Sequence, residues 1–112
     1  MRQKQLQIHG KKIDANFCIG VENALGFMFT FSQERAKVLC FPSERRISLH
    51  MFFVFFPLHA IFLDSRKRVV DYVLLRPFTF YSSKKRAKYV VEIPLSLFRG
   101  QVKRDEKTKF IS

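Results

Sequence analysis

The sequence consists largely of short apolar runs bounded by charged residues, Gly or Pro, and this alternation constrains the fold more than any other feature. It is typical of β-strands joined by turns. The longest run, residues 49–63, is interrupted by two histidines and Pro57 and is shorter than the ~18 residues that a membrane-spanning helix needs. Pro57 breaks a helix, and the Val and Phe residues around it favour strands. We therefore expect a β-rich domain and no membrane segment.

Strand positions follow from the same alternation. Residues 6–19 are expected to hold two strands around a turn at Gly10. In residues 21–28, apolar side chains recur at intervals of three and four, which predicts a short amphipathic helix. Further strands are predicted at residues 36–41, 47–53, 58–63, 69–75 and 88–93, with a short final strand around 107–111. The predicted fold class is mainly β, a small antiparallel β-barrel-like domain with one short helix.

A chain of 112 residues fits one domain. Its apolar content of 47% is too high for a disordered polyelectrolyte, so we expect it to fold around a core. We place that core in residues 6–95, and we expect residues 96–112 to form a weakly structured C-terminal segment or an edge strand. The short connections between most strands favour an up-and-down order, in which strands adjacent in sequence pair with each other.

Burial explains the phenylalanine-rich middle of the chain. In residues 47–53, alternation places four apolar side chains on one face, namely Ile47, Leu49, Met51 and Phe53. The opposite face carries Ser48, His50 and Phe52, and we expect it to be partly covered. A central strand needs burial on both faces, so the Phe run indicates a core.

The sequence lacks the motifs of common enzymes, since it has no phosphate-binding Gly loop, nucleophile elbow or HExxH pattern. One catalytic pairing is conceivable, with Cys40 as nucleophile and His50 as base across the turn at residues 42–46. The alternative is that Cys40 is a small buried hydrophobic residue. The histidines and cysteines follow no metal-ligand spacing, so we expect no metal and no cofactor. The sequence therefore favours a non-enzymatic protein over an enzyme.

Four side chains make up a candidate polar site: His50, His59, Asp64 and Glu92. The two histidines would face each other if their strands paired across residues 54–57, but two imidazoles do not make a metal site. Glu92 shares a mixed strand face with Lys88, and we expect this face to meet solvent. The simpler interpretation of Glu92 is a cross-strand ion pair with a Lys or Arg.

The two cysteines, Cys18 and Cys40, stand far apart in the sequence and form no CxxC pair. The first residues are charged and polar, without the apolar segment of a secretory signal. This pattern favours reduced thiols and a cytoplasmic location. The two cysteines permit one disulfide, but nothing in the sequence requires it.

Basic side chains point to a partner, because the net charge of the chain is +12. An up-and-down order would place the turns at 42–46 and 64–68 together with the tail at one end of the sheet. The long loop 76–87 would then lie at the opposite end, beside Phe55 and Phe56. The candidate binding residues are Phe78, Phe80, Tyr81, Lys84, Lys85, Arg86, Arg66, Lys67 and Arg68.

Aromatic faces beside cations are what single-stranded nucleic-acid binding uses, with stacking for bases and charge for phosphates. The main hypothesis is a non-enzymatic interaction domain that binds a partner, such as an acidic protein, through this loop. The alternative is a nucleic-acid-binding protein, although charge alone also gives salt-sensitive affinity for polyanions. Either hypothesis requires Phe78, Phe80 and Tyr81 to be at least partly exposed.

Several segments together resemble a known family. The stretch HMFFVFFPLHAIFLDSRKRVVD at residues 50–71 is followed by RPFTFYSSKKRAKYVVEIP at residues 76–94, and LGFMF and KVLCFPSE lie upstream. In this order the segments resemble the archaeal branch of the family catalogued as domain of unknown function 192. The resemblance covers roughly residues 15–94, and an ordered set of motifs is more specific than any single one.

The resemblance implies a compact β-barrel-like domain with a little helix and no established activity. Members of that family usually carry an Asp after the Pro-Leu step, where this chain has His59. A role that depends on a carboxylate at that position is therefore absent here. Asp64 and Glu92 are the acidic residues that match the family pattern, and after Pro94 the chain departs from the usual Gly-Asp ending.

Overall fold

The computed structural model describes residues 5–19, 34–50, 55–100 and 102–111. The strands in these residues are β1 (Gln5–Ile8), β2 (Lys11–Ile19), β3 (Ala36–Arg45), β4 (Ser48–His50), β5 (Leu58–Leu63), β6 (Val69–Leu75), β7 (Phe80–Ser82), β8 (Ala87–Pro94) and β9 (Lys109–Ile111). A 3-10 helix covers Leu95–Leu97. The mainly β class is confirmed, while the helix predicted at residues 21–28 lies outside the described residues.

The order of the strands differs from the up-and-down prediction. Seven strands form one sheet in the order β6-β5-β8-β3-β2-β1-β9, and β4 pairs with β7 in a separate two-stranded sheet. The pairs are antiparallel except β2 and β3, which run parallel. The strand β8 lies between β3 and β5, so the prediction that β3 and β5 both pair with β4 is wrong. Turn length permits neighbouring strands to pair, but burial on both faces selects the central strands.

The sheet curls into a half-barrel. Backbone contacts join the beginning of β6 to the segment that precedes β9. Arg68 bridges Lys107, and the N–H of Val69 donates to the carbonyl of Glu106 at 2.8 Å. The segment before β9, which forms one edge of the sheet, therefore contacts the start of β6 at the opposite edge.

Apolar side chains pack on both faces of the sheet. All six residues of β5 are buried. On one face Ile61 and Leu63 pack in a cluster with the residues of β1 and β2, and on the other Ala60 and Phe62 pack with Ile47 and Leu49 of the small sheet. The two small strands thus cover the second face of the large sheet.

The Phe-rich middle is only partly as predicted. Ile47 and Leu49 point inward, as the alternation indicated, and Phe56 is buried as well. However, β4 belongs to the covering sheet and is not a central strand, and Phe55 is 46% exposed. Met51, Phe52 and Phe53 lie outside the described residues. The central strand predicted for this run is therefore wrong, and β5 and β8 take that place.

The first hairpin forms as predicted, because β1 and β2 pair across His9 and Gly10. Both residues have positive φ, 52° and 75°. Positive φ at both central positions is what a type I′ hairpin turn requires, and Gly adopts it without strain.

Cys40 is disulfide-bonded, so it is neither a free core thiol nor a nucleophile. The other cysteine of the chain, Cys18, belongs to β2, the strand next to β3. The interpretation that both thiols are reduced is therefore wrong for Cys40. Disulfides persist in oxidising compartments and also in some intracellular proteins of heat-adapted organisms.

Candidate functional site

Three basic segments meet at one end of the sheet, as the sequence predicted. The N–H of Ser65 donates to Glu44 Oε2 at 2.9 Å, which ties the turn after β5 to the end of β3. The bridge between Arg68 and Lys107 brings the C-terminal segment to the same place. We call the end of the molecule formed by residues 42–46, 64–68 and 103–109 the basic end.

The cations of the long loop also lie at the basic end, so the prediction that this loop lies wholly at the opposite end is wrong for them. The N–H of Ser83 donates to the carbonyl of Ile47 at 2.8 Å, and Ala87 pairs with Arg45. The N–H of Lys84 donates to Asp71 Oδ2 at 2.8 Å. We call the exposed residues Lys84, Lys85 and Arg86 the cationic strip. Because β7 crosses back along the molecule, the strip lies away from the rings of Phe55 and Phe78.

Three exposed rings lie near the opposite end, and we call Phe55, Phe78 and Phe80 the aromatic ridge. Their exposed fractions are 46%, 57% and 70%. The rings of Phe55 and Phe78 meet edge to face with centroids 5.8 Å apart. Phe78 has a positive φ of 65°, which is an outlier for a bulky residue. The predicted exposure of Phe78 and Phe80 is confirmed.

Tyr81 is half-buried and points toward the sheet. Its hydroxyl donates to Asp71 Oδ2 at 2.8 Å. Burial, together with the adjacent carboxylate of Asp71, raises the pKa of Tyr81 to about 12. Tyr81 therefore holds β7 against the sheet, whereas the ring of its neighbour Phe80 is exposed.

His59 is buried in β5, at 2% exposure, with both ring nitrogens hydrogen-bonded. Nε2 lies 2.6 Å from the carbonyl of Phe98, and Nδ1 lies 2.6 Å from the hydroxyl of Tyr72. A carbonyl can only accept, so Nε2 carries the proton, and a neutral ring then accepts from Tyr72 at Nδ1. Burial lowers the pKa of His59, against the opposing effect of the bond to Phe98, and so favours the neutral ring.

Glu92 is buried in β8, at 7% exposure, so the prediction that its strand face meets solvent is wrong. The small sheet and its neighbours cover that face. Glu92 stands between Lys37 of β3 and Ala60 of β5 in the register. Burial raises the pKa of Glu92 to about 7, and the charge of Lys37 acts in the opposite direction. Lys37 is therefore the cation opposite Glu92 on the neighbouring strand.

The structure does not gather the candidate polar residues into one site. Glu92 pairs with Ala60, so it faces the side of the sheet opposite to His59, the preceding residue of β5. Asp64 accepts the N–H groups of Arg66 and Arg68 at 2.9 and 3.0 Å, which organises the turn after β5. The side chain of His50 lies outside the described ones, and its strand pairs with β7, away from β3 and β5. Among the described residues, no group of three His, Cys, Asp or Glu could hold a metal ion.

Sequence reasoning missed a cleft beside the basic end. It has a volume of about 380 Å³ and is lined by Arg66, Lys67, Lys107, Thr108, Lys109 and Phe110. The sequence predicts the tail and the turn after β5 at the same end, but it gives no sign that Lys107, Thr108 and Lys109 line a cleft with residues of that turn. Only the closure of the sheet shows that they lie against the turn after β5.

The fold and these surfaces define a class: a small curled β-sheet domain with a basic end, an aromatic ridge and two-sided burial of its central strands. No helix among the described residues has the length and apolarity to cross a membrane. The family model for DUF192, described as Uncharacterized ACR, matches residues 5–110. The chain belongs to this family, and the match extends beyond the stretch 15–94 that the motifs had indicated.

Archaeal relatives support the assignment. A UPF0127 protein of Pyrococcus abyssi is 40% identical over 97 residues, which cover 84% of this chain and 80% of the relative. A UPF0127 protein of Thermococcus sibiricus is 43% identical over 74 residues, or 64% of this chain. The matched part spans about half, 48%, of the length of that relative.

Two solved bacterial structures share the fold. One, from Sinorhizobium meliloti, is described as a candidate transcription regulator; it superposes with a TM-score of 0.76 at 14% identity and covers 95% of this chain and 90% of its own. The other is a protein of unknown function from Novosphingobium aromaticivorans, with a TM-score of 0.69 at 17% identity and coverage of 94% and 81%. At these identities the likeness shows the fold alone.

Proposed function

We propose that this chain is a non-enzymatic binding domain and that its partner is single-stranded nucleic acid, bound by the aromatic ridge and the cationic strip. The observation that carries the proposal is Phe78, whose ring is 57% exposed on a left-handed backbone with φ 65°. Holding a bulky residue in that region costs about 1–3 kcal/mol, and an exposed ring regains little of it through burial. Packing within the fold does not explain an exposed ring on a strained backbone, whereas stacking against a ligand would explain it.

The arrangement suits a ligand with both rings and charges. Lys84 follows Phe80 by four positions, so at most ~14 Å of extended chain lies between the Phe80 end of the ridge and the strip. Bases stack on aromatic faces and phosphates meet cations along such a surface. Arg66, Lys67 and Arg68 extend the positive surface at the basic end. Asp71, the carboxylate nearest the strip, is occupied by Tyr81 and the N–H of Lys84.

A fluorescence anisotropy titration with labelled oligothymidine and with a duplex of the same length tests the proposal. We expect the single strand to bind more tightly. Phe78→Asn removes the ring, and Asn tolerates the left-handed backbone, so the variant folds. Losing one stacked base costs ~1–3 kcal/mol, which corresponds to a roughly five- to 150-fold loss of affinity.

Salt dependence separates the two parts of the surface. The double variant Lys84→Gln/Lys85→Gln is expected to reduce the slope of log affinity against log salt by about 0.7 per lost contact, whereas Phe78→Asn leaves the slope unchanged. Leu74→Asn, which alters another exposed apolar side chain, serves as the matched control. The proposal fails if single strand and duplex bind with equal affinity and Phe78→Asn binds like the parent. Such a result would mean that the interaction is charge attraction alone. Equal competition by polyglutamate would instead favour an acidic protein partner.

A further inference from the structure

The cleft beside the basic end has walls that are fixed by backbone contacts. One wall is the turn between β5 and β6, and the other is the segment that leads into β9. The N–H of Thr108 donates to the carbonyl of Lys67 at 3.0 Å, and Arg68 bridges Lys107. The cleft is thus built into the closure of the sheet, and its side chains start from defined backbone positions.

Four cations line this cleft, and no acidic side chain does: Arg66, Lys67, Lys107 and Lys109. Within the described part of the chain, none of the four makes an ion pair with a carboxylate. Two carboxylates of the adjoining segments, Asp64 and Glu106, are engaged elsewhere. Asp64 accepts two backbone N–H groups of its own turn, and Glu106 bonds His9 Nε2 at 2.6 Å and the N–H of Lys103 at 2.8 Å. Four positive charges therefore line the same cleft, and none of them forms an ion pair within the described residues.

Lys67 is held in position more firmly than a surface lysine ordinarily is. Its Nζ lies 5.6 Å from the ring centroid of Tyr89 and 5.1 Å from that of Phe110. Its backbone is left-handed, with φ 63°, at a turn position where Gly or Asn is favoured. The turn and the two rings together direct the ammonium group into the cleft wall.

Thr108 supplies an unused donor. The residue is 3% exposed and lines the cleft, and its Oγ1 has no hydrogen-bond partner among the described residues. Buried hydroxyls in folded proteins nearly always have a partner, so this one calls for an explanation. An acceptor held in the cleft, reached by rotation of the Thr108 side chain, provides it.

We propose that this cleft is a binding site for a phosphate-class oxyanion. The four cations neutralise its charge, with Arg66 able to form two parallel bonds to oxygens of one phosphate. The hydroxyl of Thr108 donates to a phosphate oxygen, and the ring of Phe110 flanks whatever group the phosphate carries. The anion is either a phosphorylated small molecule or a backbone phosphate of nucleic acid. The site shares Arg66 and Lys67 with the positive surface of the proposed function, but it does not require the aromatic ridge, which lies near the other end of β6.

The test is a titration of the full chain with pyrophosphate, followed by amide NMR shifts, with potassium chloride at matched ionic strength as reference. We expect saturable shifts at residues 66–68 and 107–110 that chloride does not produce. Lys67→Asn keeps the left-handed turn, and Lys107→Gln changes an exposed side chain, so both variants fold. Each is expected to weaken pyrophosphate binding about fivefold, the loss of one charge-assisted contact at a partly exposed site. Arg104→Gln removes a charge from the same segment outside the cleft and is expected to bind like the parent.

Two further arms complete the design. Thr108→Val keeps the shape and removes the hydroxyl, so about fivefold weaker binding is expected; unchanged binding would overturn the role of Thr108. Adenosine monophosphate and oligothymidine then separate the sources, because a small-molecule site favours the nucleotide and a backbone site favours the oligonucleotide. Shifts that spread over all basic residues without saturation, or that chloride reproduces, would overturn the proposal.

Discussion

Replacing Glu92 by Gln should remove most of one pH-dependent contribution to stability. Glu92 lies between Lys37 and Ala60 in the middle of the sheet and is 7% exposed. Gln has the same shape and no charge in either state, so Glu92→Gln removes the titration and retains the packing. The pKa of Glu92 rises from 4.5 to about 7 on folding, chiefly through burial.

The magnitude follows from this difference in pKa. Below pH 4.5 the carboxyl is protonated in both the folded and the unfolded chain. Between pH 4.5 and 7 the folded chain retains a proton that the unfolded chain has lost, so stability falls as the pH rises. Since one pKa unit corresponds to about 1.4 kcal/mol, the loss is complete above pH 7 at about 3 kcal/mol. Glu92→Gln is therefore expected to gain about 3 kcal/mol relative to the parent between pH 4 and pH 8.

Guanidinium unfolding followed by far-UV circular dichroism measures this at a series of pH values. Comparing parent and variant at each pH cancels the other titrating groups. Asp105→Asn removes a carboxylate from an exposed position with a left-handed backbone that Asn also adopts, so it reports the effect of losing one negative charge alone. A constant difference between parent and Glu92→Gln from pH 4 to pH 8 would show that burial does not hold the proton on Glu92.

Three further predictions rest on single side chains. Because burial lowers the pKa of His59, stability is expected to fall as the pH drops below about 6.5, and His59→Gln should remove that fall in the same unfolding series. Thr108→Val should raise the free energy of unfolding by about 1 kcal/mol, since it removes a buried hydroxyl without a partner among the described residues; a lower value would mean that the hydroxyl is satisfied. Gly10→Ala should cost about 1 kcal/mol, because nothing lies within 4 Å of the added carbon and only the φ of +75° opposes it; thermal melts showing no change would refute this.

Local alternation predicted the strands well but could not predict their partners. The hairpin around Gly10 and the strands β5, β6 and β8 fall where period-two patterns indicated. The strand β7 was missed because its three residues are largely exposed and carry no apolar alternation. The parallel pairing of β2 with β3 and the central place of β8 depend on contacts between distant segments, which a local pattern does not encode.

The same limit explains the errors at the candidate site. Glu92 and Lys88 share a face that looks polar in the sequence, but β4 and β7 pack on that face of the sheet, and Glu92 is buried. The cationic strip follows the rings by only a few residues, yet β7 returns along the molecule and carries the strip to the other end. The turn after β5 and the segment before β9 are distant in the sequence. The bridge between Arg68 and Lys107 brings them together so that both line one cleft.

The central strands are buried on both faces, which explains why a chain with a net charge of +12 carries its cationic side chains outside the buried parts of these strands. All of β5 and residues 90–94 of β8 are buried, and the titratable groups there, His59 and Glu92, are shifted toward their neutral forms. Cations are excluded from these positions because an unpaired buried charge is too costly. Many of the cations lie in the segments between strands, and the topology gathers several of these segments at the basic end. Like-charge repulsion at the basic end destabilises the free protein, and the polyanion binding that we propose would relieve this repulsion.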